Sequence, residues 1–535
     1  MKNCSRCHDN ERVTTSYNFL ILNASNSFSA FMRISTMLVL AVYVCGCACN
    51  TSYHAERKTV REISCVEAAP KLSHSFKLAF IEFDDQGEFF NERQLDQTLT
   101  EIKLNRKNLI LITFVHGWQN NASINGNNNP LMKDADMEKS LKQFNEGAKG
   151  TKGDVQRFKQ FLALIANSPS VVNSGKHVMG VYLGWRGELI SKGPDPITDR
   201  VVMSAPRALT FWSRRAAATR MGDASEMGFT LDCLRAAAKP VGSRATREDP
   251  ITVFMGHSFG GKVLEQAVCQ WLARKYAEIY VAPLKASSGQ AEKFADLVLI
   301  MNPASEAIYA RRIVEMMRRL RAASGDSKAR DTTEISPPWL VTVTSKTDSA
   351  TNNFFNVGTR VGTVFGGYRD YDDKTHQRDF FCKTAPNVRQ LKNGDAVWCK
   401  DLRWEKSASG KAFVIQPYTE SQEKKDKSAE SVARAETTPS LITAFDLNLC
   451  CPNSPETSTY LALANNQVGK LQINTQETES PNRANDTHYW ILKVDPKIMD
   501  GHSDIWGPNA MNLYARLFHY SAGDRVSQTG TSVLR

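Results

Sequence analysis

Ile251-Thr252-Val253-Phe254-Met255-Gly256-His257-Ser258-Phe259-Gly260-Gly261-Lys262-Val263-Leu264 decides the architecture of this 535-residue chain. Its opening residues are β-branched and apolar, as in a strand buried on both faces of a parallel sheet. From Val263 the apolar positions Leu264, Ala267, Val268, Trp271 and Leu272 recur at helical spacing. A strand that feeds a helix through so short a turn throws the turn residue, Ser258, above the sheet edge. Gly256 and Gly260 leave room for helix and strand to approach closely.

The same alternation continues on both sides. Phe76–Phe83, Leu109–Val115, His177–Gly184, Leu297–Met301, Trp339–Ser345 and Tyr489–Val494 read as strands. Phe89–Lys103, Arg157–Ala166, Leu209–Arg220, Phe229–Ala238 and Ile308–Leu320 read as helices between them. This predicts an α/β fold with a mostly parallel sheet covered on both faces. Residues 352–485 interrupt the pattern as an insertion or cap before the last strand. Within it, 419–439 is charged, lacks aromatics and is expected to be mobile.

Hydrophobic content of 41% supplies a large core. The net charge of +11 is scattered and no nucleic-acid module is present, so no nucleic-acid partner is expected. Cys4-x-x-Cys7 has no second ligand pair, so no metal site is expected. Cys382 and Cys399 bracket a turn-rich segment and are candidates for pairing, whereas Cys233 and Cys269 read as buried apolar residues.

The N-terminal region carries an address. Arg33 precedes the apolar run Met37–Val44 and then the small residues of Cys45-Gly46-Cys47-Ala48-Cys49. The run is too short to span a bilayer and has the form of an export signal. Val44-Cys45-Gly46-Cys47 resembles a bacterial lipobox, which implies lipidation at Cys47, with Cys49 the alternative. Residues 1–31 then read as a mis-annotated extension upstream of a start at Met32. Residues 32–49 are the signal and anchor, and 50–74 a tether.

A lone Gly-x-Ser-x-Gly is common by chance. Ser258 gains weight from its strand and helix and from two further features. Val115-His116-Gly117-Trp118 ends an earlier strand, where a nucleophile elbow draws one of its two oxyanion donors. The donors expected are the backbone N–H groups of Trp118 and Phe259, with His116 and Gly117 shaping the loop. An acid and a histidine then follow the serine at strand ends, Asp348 and His502. Glu306 and Asp370 are alternative acids; His376, His488 and His519 are alternative histidines. His257 is expected to point away from the site. Trp118, Trp185, Phe259, Phe354, Phe355 and Trp506 form either an apolar acyl pocket or ordinary core.

Together these motifs resemble the serine α/β-hydrolases, in particular bacterial esterase- and lipase-like members, across residues 76 to about 520. The resemblance implies an α/β-hydrolase core over 75–351, with the last strand, the histidine loop and a C-terminal helix in 486–535. It implies hydrolysis of a small-molecule or lipid ester through an acyl-enzyme, without metal or organic cofactor. With the lipoprotein signal, the expected location is the cell envelope, tethered to a membrane. The long stretch between acid and histidine departs from the family pattern. A non-catalytic binding or assembly protein on the same fold is the alternative.

Overall fold

The computed structural model describes residues 52–54, 59–63, 74–123, 153–189, 204–223, 225–239, 246–281, 293–323, 338–351, 355–362, 380–385, 399–407, 410–417, 470–473, 488–522 and 525. The chain divides into two units, one of Thr51–Glu188 with Phe211–Arg535, the other of Met1–Asn50 with Leu189–Thr210. Of the smaller unit, only Leu189 and the first turns of the helix Ser204–Gly222 are described. The larger unit holds the sheet.

The strands are β1 (Val60–Ile63), β2 (Phe76–Glu82), β3 (Leu109–Val115), β4 (His177–Gly184), β5 (Ile251–His257), β6 (Leu297–Met301), β7 (Leu340–Ser345), β8 (Cys399–Ser407), β9 (Gly410–Pro417), β10 (Lys470–Ile473) and β11 (Tyr489–Val494). They form one sheet in the order β1-β2-β4-β3-β5-β6-β7-β11-β8-β9-β10. From β2 to β8 in that order, every pairing is parallel. β1 joins β2, and β9 joins β8, antiparallel.

The side-chain alternation of β3 shows why this stretch is a strand. Ile110, Ile112 and Phe114 enter the core on one face, and Leu109, Leu111 and Val115 the core on the other. Helices α1 (Asp154–Ala166) and α2 (Pro508–Ala522) cover the first face through Phe158, Phe161, Leu162, Tyr514 and Leu517. Helices α3 (Phe259–Val281) and α4 (Ala307–Ala323) cover the second through Val263, Leu264, Val268, Ala310 and Ile313. The amphipathic pattern in the sequence therefore falls on packed faces, as burial of an apolar stripe requires.

Two expectations are corrected. The tether over 50–74 is in part built into the fold: Ser52, Tyr53 and His54 are hydrogen-bonded to Glu82, and β1 pairs with β2. The insertion contributes β8, β9 and β10 to the sheet, so β11 lies between β7 and β8 and is not the sheet's edge. The segments 1–31, 32–49 and 419–439 lie outside the described residues.

Candidate active site

Ser258 follows the last residue of β5 and precedes the first of α3. Its φ is 55°, in the left-handed region that costs a non-glycine residue about 1 kcal/mol. The turn is held from three sides. Ser258 N donates to the Met301 carbonyl at 3.0 Å, and the Ser258 carbonyl accepts from Lys262 N at 3.1 Å and Ala304 N at 3.0 Å. A Cβ on Gly260 would lie 2.2 Å from the Val115 carbonyl oxygen, and one on Gly256 2.7 Å from that of Gly260. These positions tolerate only a hydrogen, so the start of α3 can press against the end of β3.

His502 Nε2 lies 2.9 Å from Ser258 Oγ, and His502 Nδ1 lies 2.9 Å from Asp348 Oδ2. Asp348 is fully buried and accepts two further hydrogen bonds, from Thr351 N at 3.1 Å and Thr351 Oγ1 at 2.7 Å. Burial pushes its carboxyl pKa up. The neighbouring His502 and the Thr351 hydrogen bonds outweigh that and hold it below the usual carboxylate value. An ionised Asp348 keeps a proton on His502 Nδ1 and leaves Nε2 able to accept one from Ser258. The His502 side chain is about one-fifth exposed, so its ring is open to solvent.

The loop after β3 abuts the serine. A Cβ on Gly117 would stand 2.7 Å from the Ser258 Cβ. His116 is fully buried; its Nε2 accepts from Trp185 N at 3.0 Å, its carbonyl accepts from Trp185 Nε1 at 2.9 Å, and its ring stacks on Trp185. Burial drives its pKa down to about 4, so it is neutral and serves to fix the loop. Trp118 follows, its ring 6.4 Å from that of Phe259. The Phe259 N–H belongs to the first turn of α3, whose N–H groups have no partner within their own helix.

Other expected residues stand elsewhere. Glu306 binds Lys262 Nζ at 2.5 Å and also Arg215. Burial raises its pKa, but the two cations bring it down to about 2. His488 lies before β11, at the end of the sheet opposite Ser258, and its carbonyl accepts from Trp339 N and Leu340 N. His519 lies on α2, 3.4 Å from Ser170. Asp370, His376, Phe354, Cys47 and Cys49 lie outside the described residues, as does the Cys399 side chain. Trp506 packs in the core with Phe114 and Phe158, while Phe355 and Phe211 join Phe259 and Trp118.

Three supporting residues escaped the sequence. Asn302, at φ 42°, donates from Nδ2 to the His502 carbonyl at 2.9 Å and to the Gly501 carbonyl at 3.1 Å, and accepts from Ser345 N at 2.9 Å. Ser345 Oγ donates to the Met499 carbonyl at 2.7 Å. His257 does not point away: its Nε2 lies 3.1 Å from the same His502 carbonyl. Burial, with His502 beside it, lowers the His257 pKa to about 3, so the neutral ring donates that bond. An asparagine after a strand is the one local hint, since asparagine tolerates positive φ. Asn302→Ala removes a donor to the Gly501 and His502 carbonyls and the acceptor of buried Ser345 N, and so loosens His502. It is expected to cost about 1–3 kcal/mol of stability and roughly 10- to 100-fold in turnover. Chemical denaturation and steady-state kinetics on the variant measure both, and unchanged turnover would remove Asn302 from the site.

The buried histidines also set a pH dependence. His116, His257 and His519 have pKa values depressed by burial to about 4, 3 and 4. Unfolded, they titrate near 6.5, so below that pH the unfolded chain binds more protons and the fold loses stability. Glu265 acts oppositely. Burial raises it to about 7, so the native chain takes its proton first and gains on the same descent. For these four groups the balance is a loss of about 2 kcal/mol between pH 7.5 and 5.5, and His54 and His177, also lowered by burial, act in the same direction. Urea midpoints at the two pH values test this; an equal or higher midpoint at pH 5.5 contradicts it.

No protein-family model matches this chain, and no curated protein does. A solved structure of an uncharacterized protein from Pseudomonas aeruginosa is similar at 12% identity over 48% of this chain and 38% of that one. Its TM-score of 0.19 is too low to carry an argument about fold or activity.

Proposed function

We propose that the chain is a serine hydrolase with an α/β-hydrolase fold that cleaves a carboxylic ester, lipid-anchored in the cell envelope. The observation that carries this is the unbroken relay from Ser258 through His502 to buried Asp348, at the edge where the strands of a parallel sheet end. Open α/β sheets place their ligands at that edge. The left-handed φ of Ser258 supports the elbow assignment.

In this mechanism Ser258 Oγ attacks the ester carbonyl while His502 Nε2 takes its proton. Asp348 stabilises the imidazolium without accepting that proton. The N–H groups of Phe259 and Trp118 receive the oxyanion. His502 returns the proton to the departing alkoxide, which leaves the acyl group on Ser258. A water, activated by the same histidine, then releases the acid. The aromatic cluster of Trp118, Phe211, Phe259 and Phe355 beside the elbow favours an apolar acyl group. The Cys45–Cys49 cluster supports the lipid anchor, with Cys47 the modified residue and Cys49 its alternative. The purified chain is expected to hydrolyse p-nitrophenyl esters in a series from acetate to palmitate. A folded chain that turns over none of them contradicts the proposal.

A further inference from the structure

The chain enters the fold at a buried polar lock. Ser52 Oγ donates to Glu82 Oε2 at 2.5 Å, Tyr53 N to Oε1 at 2.7 Å and His54 N to Oε2 at 2.7 Å. Gln94 closes the lock, donating to the His54 carbonyl at 2.8 Å and accepting from Glu82 N at 2.8 Å. The His54 ring stacks on Phe80, with centroids 3.8 Å apart, and its Nε2 donates to the Ala122 carbonyl at 2.8 Å. Glu82 and His54 are both buried. Releasing this segment would leave a buried carboxylate without three donors, so the entry point is fixed.

The register shows where that point lies. Glu82 pairs with Gly184, and one residue earlier Leu183 pairs with Val115, which pairs with Gly256. Glu82 therefore stands at the same sheet edge as Ser258, three strand spacings away, or about 14 Å. Ala122, which His54 holds, is in the loop that begins at His116 and carries Trp118. The opposite edge, at the start of β3, is about 20 Å further off along the strands.

Cys47 stands five positions before Ser52, and Cys49 three positions before it. Fully extended, these span about 18 Å and 11 Å. A lipid on either cysteine thus holds the lock close to the bilayer surface, with too little chain for the far edge to turn toward it. We propose that this short tether faces the Ser258 edge to the membrane, and that the substrate is an ester lipid presented by that membrane. The proposal rests on the hydrolase and lipid-anchor reading above.

The test uses the full chain, expressed with its own signal and reconstituted into phosphatidylcholine–phosphatidylglycerol vesicles containing a headgroup quencher lipid. A fluorophore is attached through p-azidophenylalanine in place of Gln86, in the exposed turn after β2, or of Lys107, exposed before β3. Quenching is expected to be at least threefold stronger at position 86. Equal or reversed quenching overturns the orientation, and so does a chain that fails to float with the vesicles. Inserting twenty Gly-Ser residues after Asn50 is expected to even out the two signals. The same insertion should cut hydrolysis of a vesicle-borne ester lipid at least threefold and leave p-nitrophenyl butyrate turnover unchanged. Undiminished lipid hydrolysis, or none by the unaltered chain while p-nitrophenyl butyrate is cleaved, overturns the substrate class. Loss of both activities with the quenching pattern intact would instead mark failure of the hydrolase reading.

Discussion

Ser258→Ala is expected to lower ester turnover by a factor on the order of 10⁴–10⁶ while leaving the fold in place. The loss is large because in the proposed mechanism Ser258 Oγ forms the acyl bond, and no other hydroxyl lies 2.9 Å from His502 Nε2 among the described residues. Residual rate would come from the oxyanion donors and from binding alone. The fold survives because the turn is held by backbone bonds to Met301, Lys262 and Ala304, none of which uses the side chain. Alanine is no more strained than serine at φ 55°, so stability should change by about 1 kcal/mol or less, the worth of one lost hydrogen bond. Kinetics with p-nitrophenyl butyrate, alongside thermal unfolding, measures both. Turnover within tenfold of the unaltered chain would mean that another residue is the nucleophile.

Asp348→Asn is expected to lower turnover by roughly 10³–10⁴-fold with little change in KM. The substitution preserves shape: Thr351 N can still donate to an amide oxygen in the Oδ1 position, and Thr351 Oγ1 can accept from an amide NH₂ in the Oδ2 position. What changes is the proton on His502. An amide NH₂ facing Nδ1 donates to it, which forces the proton to Nε2 and removes the acceptor that Ser258 needs. The variant also lacks the negative charge that stabilises the imidazolium. Raising the pH would not rescue it, since the fault is tautomer and not titration. A loss below tenfold would show that the buried carboxylate holds only the loop, and would shift attention to some other acid.

How far the sequence carries this account depends on how local each feature is. The elbow is legible because strand, turn and helix are contiguous from Ile251 onward. His116-Gly117-Trp118 is legible because it directly follows a strand as strongly patterned as β3. Asp348 and His502 are reached only through order along the chain; the bonds that join them to the site span 154 and 244 residues. The residues that hold His502 in place left almost no trace. Asn302, Ser345 and His257 act through backbone carbonyls and amides of a distant loop, and no spacing rule encodes such partners. Glu82 is similar: as the last residue of β2 it looks like an ordinary strand-end carboxylate, yet it gathers donors from Ser52 to His54. β8 was hidden because its charged residues break the apolar pattern of a buried strand, and β10 because it is only four residues long.

The most direct measurement is intact-mass analysis of the full chain after incubation with a fluorophosphonate, followed by peptide mapping. One adduct per chain is predicted, on the peptide that carries Ser258, absent in Ser258→Ala and greatly slowed in Asp348→Asn. An adduct on any other serine, or none on the folded chain, would contradict the assignment of Ser258 as the nucleophile.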